Sequence, residues 1–270
     1  MLLKGLFGFK VIFKGAFEIL SKKSGRKFVR LSIGHGERER YRPGTFKLHG
    51  RKFQYADNMS FLWQFHDIFV KEVYKFQTNN AQPLIIDCGS NIGLSVLYFK
   101  KQYPNSRVIA FEADPDIFDT QIKNLSHLEG VESHNEAVWT DDIGIKLFRN
   151  KADGAYISDG GDIQVNSVRL RDFLKAYDHI DLLKLDVEGA EFDLIKDCKD
   201  ELHRVEKLFV EIHTFSGQQQ HMAELLTTIE SAGFRYFIEN ANYQNSPLTG
   251  SWRSSDTGMD MQLNLYAIRE

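Results

Sequence analysis

Six ionisable residues in this chain stand where an apolar run gives out: Asp87, Glu112, Asp186, Glu188, Glu211 and His213. Asp87 closes Leu84-Ile85-Ile86 and is followed by Gly89, Asn91 and Gly93, after which Leu94 to Lys101 carries a helical pattern. A strand, a tight glycine turn and a helix N-terminus in succession place a ligand against backbone N–H groups. The two glycines allow close approach or a positive φ. The pattern D-x-G-x-N-x-G is not the G-x-G-x-x-G of a pyrophosphate cradle, and a turn that carries its own acid suits a ligand with a cationic amino group. Glu112 ends a second apolar run, Arg107 to Phe111, where a carboxylate accepts hydrogen bonds from the ribose hydroxyls of a nucleoside. A helix-cap acid is the plainer account of that position, although Asp114-Pro115 already supplies a cap.

Asp186 with Glu188, and Glu211 with His213, end two further apolar runs. Side chains two apart on a strand share a face, and neighbouring strands lie about 4.8 Å apart. Four such groups could surround one hydroxyl or one divalent cation. Capping of the helix that begins near Gly189-Ala190 is a fair account of Glu188 or Glu191. It explains Asp186 and the Glu211/His213 pair poorly, because both close apolar strands.

Bringing these residues to one edge takes an alternating chain, since ligands of an open α/β sheet sit beyond the C-terminal strand ends. The sequence supplies one over 81–270. Strands are expected at 84–87, 107–111, 131–139, 143–148, 163–165, 181–186 and 207–213, with helices near 115–126, 169–176, 190–198 and 218–231. Two last strands, 234–239 and 262–268, close the sheet, the final one antiparallel. Residues 150–161 and 240–260 read as loops, the second facing the substrate. Residues 1–80 form an N-terminal extension: an apolar and basic helix, a hairpin turning at His49-Gly50, and a lid-like helix capped by Asp57 or Ser60 and running to about Tyr74.

A formal net charge of -3 gives no general electrostatic reason to bind nucleic acid. Two cysteines, Cys88 and Cys198, make neither a metal motif nor a stapled scaffold, and a reducing cytoplasm is the simplest compartment. Residues 1–20 are strongly apolar, but Lys4, Lys10, Lys14 and Glu18 break any membrane-spanning run. They read as a helix that packs on the protein or on a second copy. Peripheral contact with a membrane stays open because Lys22, Lys23, Arg26, Lys27 and Arg30 follow.

The ordered set IIDCGSNIGLSVLYFK (85–100), AFEADP (110–115), VNSVRLRDFL (165–174), LLKLDVEGAE (182–191) and LFVEIH (208–213) resembles the FkbM-type S-adenosylmethionine-dependent methyltransferases over about residues 40–240. The resemblance implies a doubly wound, seven-stranded, Rossmann-like class I methyltransferase sheet and O-methylation of a hydroxyl on a sugar, glycan or glycosylated small molecule. Carried over by position, Asp87, Gly89, Asn91 and Gly93 form the methionine-side loop and Glu112 takes the adenosine ribose. Ala113 stands where the family often has proline, which alters turn stiffness. His213 is then the general base for the acceptor hydroxyl, and Asp186 or Glu211 orients it or holds a cation. Asp186, Glu188, Glu211 and His213 are the candidate metal ligands, with Mg²⁺ or Mn²⁺ left open and histidine making Mg²⁺ less natural. A protein or nucleic-acid acceptor, and a relative that keeps the fold without catalysis, are the competing readings. A nicotinamide enzyme would need the missing G-x-G-x-x-G turn.

Overall fold

The computed structural model describes residues 19–35, 41–48, 50–149, 155–157, 161–241 and 258–269. The apolar residues 1–18, with their expected membrane or self-association role, His49 of the expected hairpin turn, and most of the expected 240–260 loop lie outside these. No helix among the described residues is long and apolar enough to cross a membrane.

The chain divides into two compact units, Met1–Lys75 and Phe76–Glu270. In the first, helix α1 (Lys23–His35) precedes a hairpin of β1 (Gly44–Leu48) and β2 (Arg51–Tyr55). Helix α2 (Asn58–Phe65) starts at Asp57, whose carboxylate accepts from the Ser60 N–H, and passes into a π-helical stretch, His66–Lys71. That stretch ends at Glu72 in the left-handed region (φ 62°), so the expected continuous helix to Tyr74 stops early and changes its winding. Phe61 ties the unit together by stacking on Tyr55 at 4.8 Å. Three residues of the basic run are engaged inside this unit, Arg26 by donating to Leu20 O at 2.8 Å. Lys22 pairs with Glu72 at 3.2 Å, and the Lys27 ammonium lies over the Phe46 ring.

The second unit is built on a seven-stranded sheet. Its strands are β3 (Leu84–Cys88), β4 (Arg107–Phe111), β5 (Val131–His134), β11 (Ile180–Leu185), β12 (Val205–Phe215), β13 (Phe234–Asn240) and β14 (Met259–Arg269), in the order β13-β14-β12-β11-β3-β4-β5. From β5 to β12 every pairing is parallel, and β14 lies antiparallel between β12 and β13. Strands β3, β4 and β11 are almost wholly buried, as their unbroken apolar runs require of a sheet covered on both faces. Helices α3 (Leu94–Gln102), α4 (Pro115–Leu125), α5 (Leu170–Leu174), α6 (Glu191–Asp197) and α7 (Met222–Ser231) occupy the connections. One core joins Ile86, Ile109, Leu183 and Val210 of the strands to Leu174, Leu194 and Ile229 of the helices.

Two expectations need correcting. The run 131–139 is two strands, because β6 (Ala137–Trp139) leaves β5 to pair in parallel with β10 (Ser167–Arg169). The loop expected over 150–161 contains β8 (Ala155–Ile157), which with β9 (Ile163–Val165) flanks β7 (Ile145–Arg149) in a separate three-stranded sheet. The compact units divide at Lys75/Phe76, near the boundary expected at residue 80. Residues 78–84 are held by Asp181, fully buried at the start of β11. Asp181 accepts from the Thr78 hydroxyl at 2.8 Å, the Asn80 amide at 3.0 Å and the Leu84 N–H at 2.9 Å, so residues 78–84 are latched to the sheet.

Asp181→Ala would remove the buried acceptor shared by three donors, of which Thr78 and Leu84 are half-buried and Asn80 is exposed. Urea denaturation of the variant should show a loss on the order of 3 kcal/mol.

Candidate active site

Between β3 and β11 the strand order reverses: the chain leaves β3 for β4 on one side and returns to β11 on the other. A crevice opens at such a point, and the groups singled out in the sequence gather there. Gly89 takes φ +79°, and a Cβ on it would come within 1.7 Å of the Asp186 carbonyl oxygen, so the two chain ends touch here only because the residue is glycine. Gly93 has φ +90° and caps α3.

The loop is held almost entirely by its own chain. Gly89 N–H and Ser90 N–H both donate to Phe111 O, Gly93 N–H to Ser90 O, Ile92 N–H to the Asn91 side chain, and Asn91 N–H to Glu112 Oε2 at 2.9 Å. The backbone N–H groups expected to face a ligand are thus engaged within the protein. Three of these five amides fix the loop to the end of β4 and the other two close it on itself, which makes it a rigid wall. Gln121 and Asn124 of α4 close it from behind by donating to Asn91 O and Ile92 O.

Asp87 is fully buried. It does face a cation, but that cation is Lys184 of β11, whose Nζ lies 3.0 Å from Oδ1; the Ser95 hydroxyl donates to Oδ2 at 2.5 Å. Lys184, equally buried, also donates to Gly89 O at 2.9 Å and stands 3.4 Å from Asp186. Burial works against its charge, but Asp87 and Asp186 outweigh it and hold its pKa above the ordinary lysine value. The sequence reading missed Lys184, although a lysine centred in the apolar run Leu182 to Leu185 was the available signal.

Glu112 accepts one backbone N–H on each oxygen, from Asn91 and from Asp114, both at 2.9 Å. Burial pushes its pKa up to about 7 against those two bonds. Each oxygen keeps a lone pair for a further donor.

On the β12 side, Glu211 and His213 share a face, as strand periodicity requires. Asp186 follows β11 directly, and Asp186, Glu211 and His213 present ligand atoms all within 4.8 Å of one another. Glu188 reaches them by a different route from the one expected. The chain is not extended there: Glu188 (φ 53°) and Gly189 (φ 103°) turn left-handed, yet Glu188 Oε2 lies 3.9 Å from His213 Nε2. Glu191 is the second residue that sequence reasoning undervalued as a helix cap. Fully buried, it accepts from the Val187 and Gly189 N–H groups at 3.1 Å and takes His213 Nδ1 at 3.0 Å. The imidazole is thereby fixed with Nε2 toward the cluster. Burial pushes Glu211 up to about 8, reinforced by Asp186. For His213 burial acts downward, but Glu188, Glu191 and Glu211 raise it well above the usual histidine value.

A rigid glycine loop that ends on a buried carboxylate, beside a buried acid–histidine cluster, narrows the choice, and sequence comparison decides it. Residues 87–236 match the family model described as the methyltransferase FkbM domain. The chain belongs to the FkbM methyltransferase family. It is an S-adenosylmethionine-dependent methyltransferase. This FkbM protein is similar to Methyltransferase 1 of Beauveria bassiana, 28% identical over 207 residues that make up 66% of this chain and 82% of that protein. It is also similar to the 2-O-methyltransferase NoeI of Sinorhizobium fredii, 24% identical over 166 residues, or 53% of this chain and 67% of that one. A crystal structure of an FkbM methyltransferase from Methylobacillus flagellatus aligns with 71% of this chain at 14% identity and a TM-score of 0.46; this chain spans 45% of that protein.

The residues present fit the family's cofactor: the glycine wall leaves backbone where side chains would stand, and Glu112 retains acceptor capacity. The folded pKa of Glu112 lies above its ordinary value, so its contribution to stability is complete below about 4.5 and is lost as pH rises through 7. Thermal or urea unfolding of the unliganded protein should show a fall on the order of 2–3 kcal/mol across that window, which Glu112→Gln removes.

Proposed function

We propose that this FkbM methyltransferase transfers its methyl group to a hydroxyl oxygen of a sugar, glycan or glycosylated small molecule. The observation that carries the reading is the His213 imidazole, buried, aimed by Glu191 and flanked by Asp186 and Glu211 at the strand ends. An alcohol needs its proton taken before its oxygen is a useful nucleophile, and this cluster is the proton-handling group of the crevice. The name of the Sinorhizobium relative specifies a 2-O acceptor, and the family's association with sugar hydroxyls agrees with it.

When bound, S-adenosylmethionine supplies an electrophilic methyl on a sulfonium. The chain does the rest. Glu112 accepts the ribose hydroxyls through the lone pairs left on its two oxygens. Gly89, Asn91 and Gly93 wall the methionine side, and Asp87 acts through Lys184, holding β3 and β11 together behind that wall. The acceptor hydroxyl sits over Asp186, Glu211 and His213, and this cluster takes up its proton as the carbon–oxygen bond forms and the methyl's bond to sulfur breaks. Glu191 touches neither partner and positions His213.

The test uses labelled S-adenosylmethionine with a pool of sugar-bearing acceptors, then the purified product. His213→Ala should bind S-adenosylhomocysteine as wild type does while methyl transfer falls by about 10²-fold or more. Glu191→Gln should lower turnover less and shift the pH–rate profile downward, because one negative charge beside the imidazole is gone. Equal turnover of His213→Ala and wild type on a productive acceptor would remove the proton-handling role. Methylation confined to nitrogen or carbon acceptors would remove the oxygen-acceptor reading.

A further inference from the structure

We propose that Asp186, Glu211 and His213 bind a first-row divalent cation, of which Mn²⁺ is the natural probe. The purpose of this ion rests on the O-methylation reading, but its existence does not.

The histidine is the strongest argument. His213 is 3% exposed. Its Nδ1 is committed to Glu191 Oε1 at 3.0 Å, and its Nε2, aimed into the cluster, makes no hydrogen bond among the described residues. The nearest carboxylate oxygens, Glu188 Oε2 and Glu211 Oε1, both stand 3.9 Å away. That separation is too long for a hydrogen bond and suited to atoms that share an ion. A carboxylate behind one ring nitrogen, with the other nitrogen presented, is how metal-binding imidazoles are held.

Spacing agrees. An octahedral ion with ligands at about 2.1 Å sets ligand atoms roughly 3.0 Å apart in cis and 4.2 Å in trans. Here one atom from each of the three residues lies within 4.8 Å of the others, so a small inward movement closes the site. Glu211 is aimed by the Gln262 amide, which donates to its Oε1. Two carboxylates in a largely buried crevice repel, and a divalent ion relieves this more completely than the Lys184 ammonium 3.4 Å from Asp186 alone. Imidazole mixed with carboxylate favours Mn²⁺ and its neighbours over Mg²⁺.

A second acid–histidine group, His179, Asp181 and Glu206, serves as the internal contrast. Asp181 there already accepts three hydrogen bonds from Thr78, Asn80 and Leu84, so its oxygens are committed to the fold.

Three protein ligands leave coordination positions for the acceptor oxygen. Bound to the ion, the hydroxyl is more acidic. With His213 engaged as a ligand, the O–H bond would break with its proton passing to Glu188 at the solvent edge and then to water; the electron pair left on oxygen would form the bond to the methyl carbon as the carbon–sulfur bond breaks and the thioether leaves with that bond's electrons. This also gives the cluster a preference for acceptors with two adjacent oxygens, as in a vicinal diol.

The full chain, stripped with a chelator, would be titrated with Mn²⁺ alone and free Mn²⁺ followed by electron paramagnetic resonance. One site per chain is expected, tighter than about 100 µM. Glu211→Gln and His213→Gln should each weaken it at least about tenfold, and His179→Ala should leave it unchanged. Asp186→Asn, at a position that touches solvent, gives the same reading should either buried variant fail to fold by circular dichroism. Absence of saturable Mn²⁺ binding to wild type, or binding undiminished in folded Asp186→Asn or Glu211→Gln, overturns the proposal. A bound ion with no methyl transfer to any oxygen acceptor would sink the acceptor reading while leaving the cation site standing.

Discussion

Everything in the crevice depends on one buried ion pair, Lys184 with Asp87. Both residues are sealed from water, where two bare charges would be costly. The cost is offset because the ammonium is shared: it also donates to the carbonyl of Gly89 and stands beside Asp186. A single side chain thus clamps the end of β3, the start of the glycine turn and the residue after β11. Hydrophobic groups of equal volume would fill the space without fixing where those three backbone segments stop.

From that clamp the site builds outward in two directions. Toward β4, the loop's amides are spent on Phe111 O, on Glu112 and on the loop itself, so the wall is finished before any ligand arrives. Toward β12, Glu191 draws the turn at Val187–Gly189 and the His213 ring together with one carboxylate. The same side chain therefore satisfies a turn and sets a tautomer, which couples the shape of the backbone to the chemistry of the imidazole.

Much of this was legible in the sequence. Unbroken apolar runs gave the buried parallel strands, and a charged residue at each run's end marked the crevice, because an isolated carboxylate is not left inside a core without a partner. What escaped were pairings between distant residues. Lys184 sits inside its apolar run, and nothing local says that its partner is Asp87. Glu191 has the helix-start position of an ordinary cap acid, and its bond to His213 joins elements that only the fold makes neighbours. The split of 131–139 into β5 and β6 was equally hidden, since both halves have strand character and only the partners differ. The left-handed turn at Glu188 had its signal in Gly189, but a non-glycine residue with positive φ is not readable from composition alone.

The placement of β14 carries a consequence of its own for how the sheet can fail. Among the described residues β13 is hydrogen-bonded in the sheet to β14 alone, and β14 joins it to β12. Peeling away β14 therefore strands its neighbour as well and bares the flank of β12, the strand that bears Glu211 and His213. Gln262, which aims Glu211, departs with it. The far edge of the sheet is thus a single mechanical unit, and damage that begins there reaches the crevice after crossing only one strand.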